Sequence, residues 1–470
     1  MMRIVTTLTA LALSAVVAAP AFSQASLLDV YQRAMINDPV VREAEATYLS
    51  TAETKPQRLA TLLPNLTASA GTSNQFSDSI GGFDVGGGIS SGDDRNISDS
   101  DTDNWRLSLR QTLFNWSNLA QLRQADKIVA RAETTYEAAK QELLIRVAER
   151  YFNVLGAEDS VASAIAARES IARQLEQAQR RFEVGLIAIT DVQQSQAGYD
   201  DSVAVEIEAQ RQLATTHELL REIIGEVITD LASPQEELPL TPPNPANPEQ
   251  WVQTAMQQNL TLVSSRIATE VALDDIAIQR ANRLPTLSLQ AAYNENTQER
   301  LTTSYCTPNP PICPASGIRT TPPSLTRPDG RNWSLDLTFP IYTGGLNRSR
   351  IQQAVYQHRA ATEALERTAR QTERQTRDAY LGVISGIQRV RALRQSVESN
   401  RTALRATQAG FEVGTQTAVD VLSSQNSLQR AETTYSRSRY DYIMNILRLK
   451  QAAGTLSIVD VEEVDGWLQQ

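Results

Sequence analysis

The order of apolar and polar positions divides the chain into helical and alternating stretches. Leu27, Leu28, Tyr31, Ala34 and Met35 recur at helical intervals between Ser26 and Asn37, and Asn37-Asp38-Pro39 restarts a second helix that reaches about Thr61. From Leu66 the period drops to two. Leu66, Ala68 and Ala70 alternate with Thr67, Ser69 and Gly71, which predicts a strand near 64–77. Residues 77–103, rich in Gly, Ser and Asp, read as a flexible acidic loop. A second strand is predicted near 103–115, where Trp105, Leu107, Leu109 and Leu113 alternate with Arg106, Ser108, Arg110 and Thr112. Between Ser117 and Phe182 there is no proline, and Ala132, Tyr136, Ala139, Leu143, Val147 and Tyr151 follow three- and four-residue steps. At 1.5 Å per residue that is a helix of about 100 Å with a narrow apolar stripe, suited to coiled-coil-like packing. A second helix returns from about Ile189 to Gly225.

The turn between those helices occurs twice. Arg181-Phe182-Glu183-Val184-Gly185 leads through Thr190 into Asp191-Val192, and Gly410-Phe411-Glu412-Val413-Gly414 leads through Thr417 into Asp420-Val421. Glycine suits the left-handed residue that ends a helix, and Thr190 or Thr417 can cap the next. The flanks repeat as well, so the chain reads as a duplication. The first repeat spans 26–232 with its tip at 182–191. A Pro-rich linker covers 233–248, and the second repeat spans 249–454 with its tip at 411–420. Leu284-Pro285-Thr286-Leu287 replays Leu63-Pro64-Asn65-Leu66, and strands are predicted near 285–296 and 331–342. Their connecting loop, 297–331, is the longer of the two, and residues 455–470 read as an irregular tail.

Alternating strands with Arg and Asp on one face fit either a soluble antiparallel sheet or a membrane barrel. Trp105 and the Phe114–Trp116 pair bracket about ten residues, the length of a tilted strand crossing an apolar band with aromatic girdles. Four strands cannot close a barrel, which needs at least about eight, and open edges are not tolerated in lipid. On the membrane reading the chain is an obligate oligomer that shares one barrel.

Charge and cysteine usage narrow the compartment. The apolar run Ile4–Phe22 behind Arg3 reads as a secretory signal over 1–25, cleaved after Ala25 or else after Ser23. No other stretch approaches the about 20 apolar residues of a spanning helix. The chain of 470 residues carries a net charge of −10, which disfavours nucleic acid as a partner. Only 6% of residues are aromatic, a composition of long thin helices rather than thick cores. Cys306 and Cys313 lie close together in a Pro-rich loop of an exported chain, the setting of a local disulfide. His217 and His358 are far from them, so no metal or cofactor site is expected, and no enzyme motif is present.

These residues resemble the TolC family of outer-membrane efflux and secretion ducts. The likeness is carried by Phe-x-Val-Gly-Leu-x-Ala-Ile-Thr-Asp-Val at 182–192, Val-Gly-Thr-x-Thr-x-Val-Asp-Val-Leu at 413–422 and Pro-Ile-Tyr-x-Gly-Gly at 340–345, and it covers about 26–456. The resemblance implies an α+β membrane protein. It would be a homotrimer whose 12-stranded transmembrane β-barrel, four strands per chain, continues into a 12-helix periplasmic α-barrel girdled by a mixed equatorial domain. It further implies a passive exit duct of a tripartite efflux pump or type I secretion system, set in outer-membrane lipid. The tips would dock a periplasmic adaptor (membrane fusion) protein and an inner-membrane transporter of RND, ABC or MFS type. Val184, Gly185, Leu186, Val413, Gly414 and Thr415 match the adaptor-contacting positions. Asp420 matches the first inward acidic residue of the family's constriction, and Ser423 stands where a second acid is found. Asp191 is retained at the first tip, but the facing Phe411 and Gln416 carry no charge to lock it. A soluble periplasmic coiled-coil adaptor or scaffold is the alternative; it accounts for the hairpins but not for the bracketed strands.

Overall fold

Local capping chemistry sets where each helix begins. The computed structural model describes residues 24–81, 94–235, 238–305 and 315–468. Ser26 and Asp29 form a capping box that opens α1 (Leu27–Asn37). Asp38 accepts the Val41 amide at 2.9 Å and so starts α2 (Pro39–Ala52), which is followed by α3 (Thr54–Ala60). Then come β1 (Asn65–Gly81), β2 (Asp94–Phe114), the 68-residue α4 (Trp116–Glu183) and α5 (Ile189–Ile224). The second repeat replays this order. Asn247 caps α6 (Pro248–Gln258), and Asn259 accepts from Leu262 N at 3.0 Å to open α7 (Leu260–Ala281). Strands β3 (Thr286–Tyr305), β4 (Ile318–Thr326) and β5 (Asp329–Thr338) precede α8 (Leu346–Glu412) and α9 (Ala418–Ala453). The chain ends in α10 (Ile458–Asp465), a capped helix where the sequence led us to expect an irregular tail.

The chain divides into two compact units. One comprises the described residues of 1–47, 134–264 and 366–470 and has an apolar core where α1, α4, α5 and α9 meet. Leu27, Tyr151, Leu155, Ile224, Tyr442 and Leu447 are almost wholly buried there. The Tyr151 hydroxyl donates to Ala232 O at 2.6 Å and Ala25 O at 3.1 Å, and Ala25 forms a parallel bridge with Leu231. Buried Asp38 (1% exposed) is matched by Arg146 at 3.2 Å, which removes the penalty of an unpaired interior charge. α9 ends on Gly454 at φ 77°, packed so closely that a Cβ there would lie 2.3 Å from Gln258 O.

The other unit, 48–133 and 265–365, holds the sheet. Its strands are all antiparallel in the order β1-β2-β3-β4, with β5 also on β3. β2 of the first repeat pairs β3 of the second, with Leu107 opposite Tyr293. Lys55–Asp126 (2.7 Å), Lys127–Asp274 (2.9 Å) and Gln124–Asp275 (2.6 Å) hold α3, α4 and α7 together beside it.

Two loop expectations are corrected here. β1 and β2 run on into 77–103 as far as Gly81 and from Asp94, and 297–331 contains the end of β3, the start of β5 and the additional strand β4. Residues 82–93 and 306–314, and with them Cys306 and Cys313, lie outside the described residues, as do 1–23 of the expected signal segment. The extension is polar yet fully laddered: Asp78 and Arg95 form a two-pronged ion pair at 2.5 Å across β1 and β2. β4 and β5 are one strand interrupted at Arg327-Pro328, where Pro328 O accepts from Asn296 N at 3.0 Å.

Candidate functional site

Register decides what each face of the sheet presents. Leu66, Ala68 and Ala70 of β1 lie opposite Leu109, Leu107 and Trp105 of β2. Leu287, Leu289 and Ala291 of β3 lie opposite Leu337, Leu335 and Trp333 of β5. One face is therefore a continuous apolar band, while the other carries Thr67, Ser69, Ser108, Arg106, Gln290, Ser288, Ser334 and Asp336. The outer part of the band is exposed: Trp333 is 78% exposed and Leu337 69%. Aromatic residues mark both limits of the band. Trp105 and Tyr293 are 5.1 Å apart at one end with Arg331 over the Tyr293 ring, and Phe114 and Trp116 are 6.4 Å apart at the other with Arg123 over Trp116. Among the described residues, neither β1 nor β5 has a partner on its outer edge.

The hairpin tips belong to the other unit. α4 and α8 each end in the same double-bonded turn. Gly185 N donates to Phe182 O (2.8 Å) and Leu186 N to Arg181 O (2.9 Å); Gly414 N donates to Phe411 O (3.2 Å) and Thr415 N to Gly410 O (2.8 Å). Gly185 at φ 74° and Gly414 at φ 80° supply the left-handed residue that this turn requires. Val184 (70%), Leu186 (70%) and Val413 (76%) project into solvent.

The two turns differ in how the returning helix starts. Thr417 caps α9: its hydroxyl accepts from Asp420 N (3.3 Å), and the Asp420 carboxylate accepts from Thr417 N (2.8 Å) and Thr417 Oγ1 (2.7 Å). These bonds hold the Asp420 carboxyl below its ordinary pKa, the Thr417 amide first among them. Thr190, by contrast, is not a cap. α5 starts one residue earlier, and the capping place falls on Ala188, which has no side-chain acceptor. Asp191 lies in the first turn of α5 and makes no side-chain hydrogen bond or ion pair among the described residues. Phe411 is buried with Val397, Leu404, Val421 and Leu428, while Gln416 and Ser423 are exposed.

Two features of the tips were not read from the sequence. Leu422 of α9 packs onto Gly198 of α5, where a Cβ would meet it at 2.7 Å. Arg181 reaches from the end of α4 to Phe411 O (3.1 Å) and Glu412 O (2.9 Å), with its guanidinium 5.1 Å from the Phe411 ring. The only signal for Arg181 is that the duplicated turn has Gly410 at the matching place.

Comparison with known proteins returns the same duplication. The family described as outer membrane efflux protein matches twice, at residues 30–226 and 251–455. Outer membrane protein TolC of Vibrio cholerae is 32% identical, covering 94% of this chain and 94% of its own. Alkaline protease secretion protein AprF of Pseudomonas aeruginosa is 29% identical over 93% of this chain and 86% of its own. Among solved structures, the Campylobacter jejuni CmeC outer membrane channel superposes with a TM-score of 0.71 at 17% identity, covering 94% of this chain and 90% of that one.

Proposed function

Because the chain belongs to the outer membrane efflux protein family, we propose that it is the outer-membrane exit duct of a tripartite efflux pump or type I secretion system. Three copies would close the open sheet edges into one 12-stranded barrel and place the long helices in a shared periplasmic tunnel. The observation that carries this reading is the sheet. It has an apolar band limited by aromatic girdles, a polar opposite face and, among the described residues, no partner on its outer edges. Backbone edges left unpaired in lipid cost several kcal/mol per group, and a second and third copy supply the missing partners. The polar face, with Arg106 and Asp336, would line the lumen. The names of relatives such as AprF support secretion, and the channels among solved structures support a passive conduit.

The tips are then the docking end for a periplasmic adaptor and an energised inner-membrane transporter. Val184, Leu186 and Val413 offer apolar anchors on turns fixed by Gly185 and Gly414, with Thr415 beside them. Asp420 is the gate residue of this proposal. Crowding of like charges raises a carboxylate pKa, but within one chain the bonds of Asp420 with Thr417 act the other way. Three copies would form an acidic ring that attracts cations. Ser423 adds no second acidic ring, and Asp191, Phe411 and Gln416 provide no charged lock.

Planar-bilayer recording tests the assignment. The purified protein should conduct, prefer cations, and be blocked by multivalent cations from the periplasmic side. Asp420→Ala should weaken block and selectivity much more than Asp191→Ala. Conduction with unchanged block in Asp420→Ala removes the gate assignment, and absence of any pore removes the duct.

A further inference from the structure

The duplicated turns are not equivalent, and the difference lies in one residue. Position 181 is Arg in the first copy and its counterpart 410 is Gly. Gly410 leaves room for the second turn to fold back over itself, since a Cβ there would lie 2.6 Å from Gln416 Cγ and 3.2 Å from Thr415 Oγ1. Arg181 points outward from its own helix instead and is spent on the other hairpin. Its two guanidinium nitrogens donate to Phe411 O and Glu412 O, at the place where a helix leaves its last carbonyls without intrahelical partners and its dipole favours a cation. The same guanidinium sits against the ring of Phe411, whose side chain is buried between α8 and α9.

We propose that Arg181 is a one-way latch: a positioning residue on the first tip that terminates α8 and thereby sets the order of the second tip. The function of the latch rests on the reading of both tips as the docking end. The second tip has its own turn bonds but no cation of its own at the end of α8: among the described residues, the last turn of α8 contains no basic side chain. The first tip needs no such help, because α4 keeps Arg180 in its own last turn. Two apolar docking turns are thus held as one surface, and a disturbance at the first is passed to the second. The guanidinium geometry matters, since two parallel donors and a flat face serve two neighbouring carbonyls and a ring at once, which an ammonium does not.

Hydrogen exchange on the purified full-length protein in detergent reads this directly. In Arg181→Gln, amides at 411–418 should exchange about tenfold faster, within the 5–150-fold span of coupled sites, although the substitution is in another hairpin. Arg181→Lys should fall between. Coupling is reciprocal, so Phe411→Leu, which keeps both carbonyls and removes the ring, should speed exchange at 182–188. Exchange in α6, remote from the tips in sequence and outside both hairpins, serves as the folding control. If Arg181→Gln alters only 182–188 and leaves 411–418 at the wild-type rate, Arg181 serves its own helix alone and the latch is overturned. If that variant does not fold, Phe411→Leu decides by the same comparison, and an unchanged first tip overturns it. Bilayer recordings on the same preparations separate the two claims: a wild-type protein that never conducts removes the duct reading, while the exchange result still judges the latch.

Discussion

At the residue scale, the decisive contrasts are between residues of one type in different surroundings. Gly414 has nothing within 4 Å of a built Cβ, so Gly414→Ala meets only the left-handed backbone. Its cost should be about 1–2 kcal/mol. Gly454→Ala meets the backbone of Gln258 and Asn259 at 2.3–2.7 Å and should be worse, displacing the start of α7. Chemical denaturation of both variants orders them, and equal effects would contradict the packing at Gly454. Asp420 gives a pH signature with a definite sign. Its folded pKa is lowered, so its stabilisation of α9 is fully present above the ordinary carboxylate range and is lost as pH falls through the lowered value. Asp420→Asn should therefore flatten the acid side of exchange protection at 417–421, and Thr417→Ala should cost about 1 kcal/mol through the lost cap. An acid-side profile unchanged in Asp420→Asn contradicts the capping box. The sequence revealed Gly414 and Thr417. It misplaced the first cap at Thr190 because Thr is a favoured capping residue, whereas the repeat puts Ala188, not Thr190, at the place of Thr417.

At the element scale, the long helices and both hairpins were legible because proline-free periodicity over such lengths admits little else. The strand ends were not. Asp99, Ser100, Asp101 and Asp103 are poor strand formers taken singly, yet each has a partner on both sides in the ladder, and Asn74 donates to Asp99 and Asp101 at 2.9 and 2.8 Å. Cross-strand pairing overrode local propensity. α10 was missed for a similar reason, since a single helical turn or two acquires its stability from packing: Val461 and Val464 are buried in the main core. The N-terminus illustrates the same point. Cleavage after Ala25 would delete the residue that donates to Asp230 O (2.9 Å) and accepts from Ala232 N (3.1 Å) and Tyr151. Intact mass of the exported protein should therefore show a chain starting at Gln24, whereas a chain starting at Ser26 would mean that the bridge is dispensable. Non-reducing peptide mapping should find Cys306 bonded to Cys313, and two free thiols would refute that pairing.

At the scale of the whole molecule, the sheet presents an incomplete surface. A sheet whose apolar face is exposed and whose outer edges lack partners among the described residues is unstable alone in either water or lipid. The duplication gave each chain two hairpins and two strand pairs, and β2 pairing with β3 joins the repeats into one sheet without closing it. The alternation of apolar and polar positions was legible in the sequence and the register bears it out, and closure by copies of the same chain is the proposal that the strand number supports. The tip contacts were not, because Arg181 and Phe411 are distant in sequence and meet only through packing. Copy number in the solubilised particle is the most direct test. Analytical ultracentrifugation of protein extracted from the outer-membrane fraction, corrected for bound detergent, should give three chains per particle across a range of protein concentrations. A folded, stable monomer, or a protein recovered only from the soluble periplasmic fraction, would contradict the shared barrel and with it the duct.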